Sequence, residues 1–144
     1  HYRNIADEGI QAIAEKGGVI GFHGMHYLLC PEEEKPTMNH FLKCLKYIED
    51  LVGIDHFAIG PDIFAEGTWP KERYTATMGP TSHAYSVLSL GDEWDPPYCE
   101  NFETYDKWPL SVTQTLVHEG YSDQEIQKVL GMNWLRVYKK VWRK

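Results

Sequence analysis

The chain alternates between amphipathic stretches and short runs that are apolar at every position. Residues 4–18, NIADEGIQAIAEKGG, place Ile10 and Ile13 at helical spacing, with acids in the first turn and a glycine pair at the end. Residues 37–53, TMNHFLKCLKYIEDLVG, carry another apolar stripe at helical spacing and begin at Thr37, a candidate N-cap. Both segments predict helices with one buried face.

Two segments, GVIGF at residues 18–22 and HFAIGPD at residues 56–62, contain short continuous apolar runs, which are typical of strands buried on both faces. The predicted helix between them, about 17 residues long, favours a right-handed crossover between parallel strands. Residues 23–36 are expected to form a loop. The pattern therefore predicts an α/β arrangement, with a parallel sheet covered by helices.

The C-terminal third of the chain has only helical patterns. In GYSDQEIQKVLG, Ser122 and Glu125 have the spacing of a capping box, and Gly131 is expected to end the helix. A last helix, NWLRVYKKVWRK, finishes in cations that suit the C-terminal end of its dipole. Its apolar face contains Trp134, Leu135, Tyr138, Val141 and Trp142.

Residues 64–107 show no clear period and carry many aromatic side chains. A structureless loop of this length is uncommon inside a domain and is often functional where it occurs. We therefore expect the segment to be an insertion that folds as a lid over the strand ends or packs on another subunit.

Composition excludes several classes of partner. The formal net charge is −7 and the isoelectric point is near 5.4, so the field of the chain repels nucleic acid and anionic membranes. No apolar stretch reaches the roughly 18 residues of a membrane-spanning helix. The three cysteines lack a CxxC spacing, and we expect reduced thiols and a cytoplasmic location.

Two charged residues are candidates for chemistry. Asp62 follows the second predicted strand, and side chains at the carboxyl ends of parallel strands face the ligand. A carboxylate at this position can transfer protons, or it can simply cap the turn after Pro61. Arg3 can clamp a substrate carboxylate through two parallel hydrogen bonds, or it can pair with Asp7 or Glu8 on the surface.

Other polar clusters are weaker candidates. His23 and His26 follow the first predicted strand and could ligate zinc, but they lack the helical spacing of HExxH, so structural roles are the alternative. The remaining histidines are scattered, and we expect them to be structural. The acids of GDEWD, which are Asp92, Glu93 and Asp95, form either a solvated face or a cation site.

Three stretches together resemble a known family. RNIADEGIQAIAEKGGVIGF, YIEDLVGIDHFAIGPD and GYSDQEIQKVLGMNWLRVYKKVW are similar, in this order, to the C-terminal part of the membrane dipeptidase (renal dipeptidase) family, peptidase family M19. This family belongs to the amidohydrolase superfamily. The resemblance implies that residues 1–144 are the C-terminal part of one (β/α)8 TIM-type barrel domain and supply its last two parallel strands with flanking and terminal helices.

The resemblance also implies roles for residues of this chain. Asp62 would orient the attacking water and pass its proton to the leaving amine, and Arg3 would hold the C-terminal carboxylate of a dipeptide. Tyr27 is the nearest match to a tyrosine that contacts substrate in the family. The two zinc ions of the family would be held by ligands upstream of this chain, so the metal ligands and the N-terminal part of the barrel are expected elsewhere.

Two functions follow from these observations. The first is zinc-dependent hydrolysis of dipeptides or related small amides, with this chain as the C-terminal wall of the barrel and inactive by itself. The alternative is a non-catalytic binding or assembly subunit that has lost the metal centre. Homo-oligomers are compatible with either. The family usually follows its strand-end aspartate with Phe-Asp-Gly, whereas this chain has Ile63, Phe64 and Ala65, so the shape of that loop is expected to differ.

Overall fold

The computed structural model describes residues 3–30, 34–63 and 98–142. Most of the predicted lid, together with Asp92, Glu93 and Asp95, lies outside the described residues. The elements are α1 (Asp7–Glu15), β1 (Ile20–Phe22), α2 (His26–Leu29), α3 (Met38–Val52), β2 (Phe57–Ile59), α4 (Trp108–His118), α5 (Asp123–Gln127) and α6 (Asn133–Val141). A 3₁₀ turn (Ile54–His56) precedes β2, and a π-helical segment (Lys128–Met132) joins α5 to α6.

The two strands pair in parallel, with α3 as the helix that connects them. Their register places Ile20 opposite Phe57 and Phe22 opposite Ile59. All residues of β2 are buried, which explains why its sequence does not alternate between apolar and polar positions. The predicted parallel crossover is therefore confirmed.

The ends of α3 follow from local chemistry. The backbone N–H of Thr37 donates to Nδ1 of His40 at 3.1 Å, so the histidine takes the position that glutamate occupies in most capping boxes. At the other end, the carbonyl of Glu49 accepts a bond from Gly53, which adopts a φ of 91° that favours glycine. The chain can then turn directly into the 3₁₀ turn and β2.

Four phenylalanines form the centre of the core. Phe22 of β1 packs against Phe41 of α3 with ring centroids 5.2 Å apart and against Phe102 at 5.1 Å, and Phe57 of β2 lies 5.8 Å from Phe41. Phe102 belongs to residues 98–107, the end of the predicted insertion. Phe102 is therefore part of the core, and the insertion of residues 64–107 as a lid stays a prediction.

Two expectations about the remaining segments have different outcomes. Residues 23–36 are not a continuous loop, because α2 forms within them and partly buries Leu28 and Leu29 against the core. The predicted capping box of α5 is confirmed, since the Ser122 N–H donates to the Glu125 carboxylate at 2.8 Å and the Glu125 N–H donates to Ser122 Oγ at 3.4 Å.

Side chains of the last helix fix it to the sheet. After Gly131 leaves the helical conformation, Asn133, Trp134 and Arg136 all donate to backbone carbonyls around β1 and β2. The acceptors are the carbonyls of Ile54 and Phe57 for Asn133 (both 2.8 Å), Ile59 for Trp134 (2.8 Å), and Gly17 and Asp55 for Arg136 (2.7 and 2.6 Å). The GMNWLR sequence is therefore a structural clamp on the strands.

The apolar face predicted for α6 is only partly covered. The rings of Trp134, Tyr138 and Trp142 stack on one another, with successive centroids 5.7 and 4.5 Å apart. Leu135 and Val141 are nevertheless exposed, as is Trp142, whose exposed fraction is 72%. Among the described helices, none combines the length and apolar character required to cross a membrane.

Candidate functional site

The carboxyl ends of the two strands bring His23 and Asp62 together. His23 follows the last residue of β1, and the Gly60 N–H donates to the Phe22 carbonyl at 3.0 Å, which continues the pairing past the end of β2. Asp62 lies two residues further along the chain. The Nε2 atom of His23 is 3.1 Å from Oδ2 of Asp62. The predicted position of Asp62 at the strand ends is therefore observed, and it has a partner that the sequence did not assign to it.

The backbone of Asp62 is in the left-handed region, with a φ of 57°. Aspartate tolerates this region better than most residues, although it still costs free energy that the surrounding structure must supply. Two tyrosines hold the segment: Tyr98 donates to the carbonyl of Asp62 at 3.2 Å, and Tyr105 donates to the carbonyl of Ile63 at 2.9 Å. The Asp62 side chain is 73% exposed. Its carboxylate is thus held at an open edge.

Arg3 and Tyr27, both predicted to bind substrate, contact each other. Nη1 of Arg3 donates to the Tyr27 hydroxyl at 2.7 Å, and the guanidinium carbon lies 5.8 Å from the centroid of the tyrosine ring. The next residue, Asn4, donates to the Leu28 carbonyl at 3.0 Å. These bonds fix the segment before α1 against α2. The roles of Arg3 and Tyr27 in substrate binding stay predictions.

A cavity of about 540 Å³ lies against β1, α1 and α3. This volume is within the range of roughly 300–1,000 Å³ that small-molecule sites occupy. Its polar lining includes Arg3, Asn4, His23 and Lys43, and much of the rest is apolar, including Ile10 and Phe22. His23 is therefore the residue that joins the cavity to Asp62, and two cationic side chains of the cavity suit an anionic group.

The described residues do not form a complete metal site. Nowhere in residues 3–30, 34–63 and 98–142 do three His, Cys, Asp or Glu side chains gather in a group that could hold a metal ion. His23 pairs with Asp62, while His26 lies in the first turn of α2 with only 9% of its surface exposed. A metal centre in this protein thus needs ligands beyond the described residues.

The cysteines do not have the properties of activated nucleophiles. Burial raises the pKa of Cys99 to about 12, with a smaller contribution from the negative charge of Glu100. Burial also raises the pKa of Cys44 and of Cys30 above the ordinary thiol value. Catalytic thiols have lowered pKa values, so thiolate chemistry is not supported for this chain.

The fold and the site define an α/β protein with polar side chains at the carboxyl ends of parallel strands, beside a cavity of about 540 Å³. A model of the membrane dipeptidase family (Peptidase family M19) matches residues 1–75. The chain belongs to this family, which confirms the resemblance found in the sequence. The matched region contains β1, β2, Arg3, Tyr27 and Asp62.

Two curated proteins are similar to nearly the whole of this chain. The chain is 28% identical over 144 residues to an uncharacterized protein in the pqqA 5′ region of Klebsiella pneumoniae, covering 98% of this chain and 42% of the relative. It is 22% identical over 143 residues to the dipeptidase tcpJ of Claviceps purpurea (strain 20.1), covering 98% of this chain and 26% of that protein. The chain therefore spans less than half the length of either relative.

One solved structure is similar to nearly the whole of this chain. The crystal structure of an amidohydrolase from Pseudomonas aeruginosa superposes with a TM-score of 0.72 at 27% sequence identity, covering 99% of this chain and 42% of the other. The likeness supports the α/β class predicted from the sequence. Since nearly all of this chain matches less than half of that structure, its elements correspond to part of a larger fold.

Proposed function

We propose that the protein carrying this chain hydrolyses dipeptides in a zinc-dependent reaction, and that the chain supplies residues for substrate binding and proton transfer. The observation that carries the proposal is the hydrogen bond between His23 and Asp62 at the strand ends, next to a cavity that Arg3 also lines. Membership of the membrane dipeptidase family supports dipeptides as the substrate class.

Arg3 is proposed to bind the C-terminal carboxylate of the substrate. A guanidinium can donate two parallel hydrogen bonds to a carboxylate, and Nη1 already has a fixed direction because it donates to Tyr27. The tyrosine reduces the freedom of the long arginine side chain before substrate arrives. Tyr27 would therefore assist binding through Arg3 as well as by contact with the substrate.

Asp62 is proposed to transfer the proton of the attacking water to the leaving amine. Oδ2 is occupied by His23, whereas Oδ1 has no hydrogen-bond partner among the described residues, so Oδ1 is the oxygen available to the water. The carboxylate would accept the proton there and then donate it to the amine nitrogen when the peptide bond breaks. Proton transfer of this kind contributes about 10²- to 10⁴-fold to a rate.

The zinc ions are proposed to bind outside the described residues, with ligands in the N-terminal part of the barrel. When bound, zinc would polarise the peptide carbonyl and lower the pKa of water. No group of three potential ligands exists in the described part of the chain, and the roles we propose for the described residues are substrate binding and proton transfer. Elemental analysis with about two zinc ions per protein would support the enzyme, and a metal-free, inactive protein would support the alternative of a binding or assembly subunit.

We further propose that β1 and β2 are the last two strands of a (β/α)8 barrel. Among the described residues each strand has one neighbour, and β2 is nevertheless buried throughout. The exposed apolar residues of α6 would then contact other parts of the same barrel. The match of nearly the whole chain to 42% of a larger amidohydrolase supports this arrangement.

The proposal is tested with Asp62→Asn and Arg3→Lys in the full protein loaded with zinc, with dipeptide hydrolysis followed by amine release. We expect Asp62→Asn to lower kcat by about 10²- to 10⁴-fold because the amide cannot accept the proton. Arg3→Lys should mainly raise KM, because lysine cannot donate the paired bonds. Asp50→Asn, an exposed substitution in α3, is the matched control and should leave both constants unchanged. Full turnover by Asp62→Asn with its zinc retained would refute the role of Asp62.

A further inference from the structure

We propose that His23 is a positioning residue that fixes the carboxylate of Asp62 through one defined tautomer of its imidazole ring. The proposal rests on the proposed function, since it assigns a role at the same site. It goes further because it names the residue that decides which oxygen of Asp62 receives the proton. The contact that suggests it is the 3.1 Å separation of His23 Nε2 and Asp62 Oδ2.

The tautomer of His23 follows from its second ring nitrogen. The backbone N–H of Met25 donates to Nδ1 of His23 at 3.2 Å, so Nδ1 must offer its lone pair and cannot carry a proton. The proton of the ring is therefore on Nε2, which donates to Asp62 Oδ2. The ring is consequently neutral in this arrangement, and it acts on the carboxylate as a hydrogen-bond donor.

Neighbouring contacts restrict the position of the His23 imidazole. His23 follows β1 directly, and its side chain is only 32% exposed. Gly24 places its carbonyl 2.7 Å from the Cys99 N–H, and a Cβ at Gly24 would lie 3.2 Å from Phe102 Cβ. The close approach of Phe102 therefore favours glycine after His23. The bond between Gly24 and Cys99 holds the backbone next to His23 near the strand ends.

Asp62 needs such a partner because its carboxylate is at an exposed edge. Tyr98 fixes the carbonyl of Asp62, but that bond leaves the side chain free to rotate. With His23 bound to Oδ2, the rotation is restricted, and Oδ1 presents its lone pairs in one direction. Preorganisation of this kind favours the transition state more than the ground state, so its loss should appear mainly in kcat.

The same geometry is unfavourable for His23 as a metal ligand, which the sequence left as an alternative. A histidine binds a metal through an unprotonated ring nitrogen. Here the lone pair of Nδ1 is used by Met25, and Nε2 carries the proton donated to Asp62. Both nitrogens are therefore engaged within the described part of the chain.

The kinetic test compares His23→Phe and His23→Gln in the full zinc-loaded protein. Phenylalanine keeps a ring but cannot donate, so we expect kcat to fall about 10- to 100-fold with KM changed less than about threefold, as for other residues that orient a catalytic group. Glutamine has an amide donor and should restore part of the lost kcat. His118→Phe, at the exposed end of α4, is the matched control and should retain the parent activity.

A spectroscopic test does not depend on activity. In ¹H–¹⁵N spectra of the imidazole rings, the signal lost in His23→Gln should show the Nε2–H tautomer, and its proton should shift in Asp62→Asn. If the parent hydrolyses dipeptides and His23→Phe retains full kcat, the positioning role is overturned while the proposed function stands. If the parent has no activity, the proposed function fails, and the spectra still decide the His23 assignment: a proton on Nδ1, or no response to Asp62→Asn, overturns it.

Discussion

Replacing Asn133 should reveal how much the clamp between α6 and the sheet contributes to stability. Asn133 is 2% exposed, and its side-chain amide donates to the carbonyls of Ile54 and Phe57, both at 2.8 Å. Ile54 is the first residue of the 3₁₀ turn before β2, and Phe57 is the first residue of β2. Asn133→Ala removes both donors and leaves the Phe57 carbonyl in a buried environment without the amide.

The expected loss can be worked from these bonds. Each hydrogen bond contributes about 0.5–1.5 kcal/mol, so the pair contributes about 1–3 kcal/mol. A buried carbonyl without a donor adds a further cost, and we therefore expect about 2–4 kcal/mol in total. Asn133→Leu keeps the volume of the side chain but also lacks donors, so it should be similarly destabilising. Asn133→Asp should cost more, because a carboxylate would face two carbonyl oxygens.

Urea unfolding followed by circular dichroism measures these differences. Asn39→Ala, at an exposed position in the first turn of α3, is the matched control. Like Asn133→Ala, it replaces asparagine with a residue of higher helix propensity, but it removes no buried hydrogen bond. We expect Asn39→Ala to stay within about 0.5 kcal/mol of the parent. If Asn133→Ala and Asn39→Ala have the same free energy of unfolding, the amide does not clamp the sheet and our reasoning about the GMNWLR sequence is wrong.

Three other predictions concern Tyr98 and Cys99. Tyr98 is 4% exposed, and Tyr98→Phe keeps its ring but loses the bond to the Asp62 carbonyl, so the free energy of unfolding should fall by about 1 kcal/mol. No loss would contradict the anchoring role of the Tyr98 hydroxyl. Cys99, whose pKa burial raises to about 12, should resist iodoacetamide at pH 8 in the native protein and react only after denaturation, as peptide mass spectrometry can show. Because the unfolded thiol loses its proton near pH 9, the Cys99 contribution to stability should decline as pH rises from about 9 towards 12.

The sequence predicted the parts of the fold that depend on local patterns. The capping box of Ser122 and Glu125 and the break at Gly131 involve residues within one or two turns of each other, so spacing alone reveals them. The clamp of Asn133 was not predicted, because its acceptors lie 79 and 76 residues earlier in the chain. Backbone carbonyls carry no sequence signature, and a bond to them becomes visible only when the helix is placed against the sheet.

The pairing of His23 with Asp62 is an intermediate case, because the sequence held enough information to suggest it. Once two parallel strands are predicted, their carboxyl ends must lie at the same edge, and the residues just after each strand become neighbours. The register pairs Phe22 with Ile59, which places His23 and the turn containing Asp62 on adjacent strand ends. What the pattern could not supply was the left-handed backbone of Asp62 or the Met25 N–H that selects the tautomer of His23. Strand order therefore identifies the pair of residues, and the turn after each strand determines whether their side chains meet.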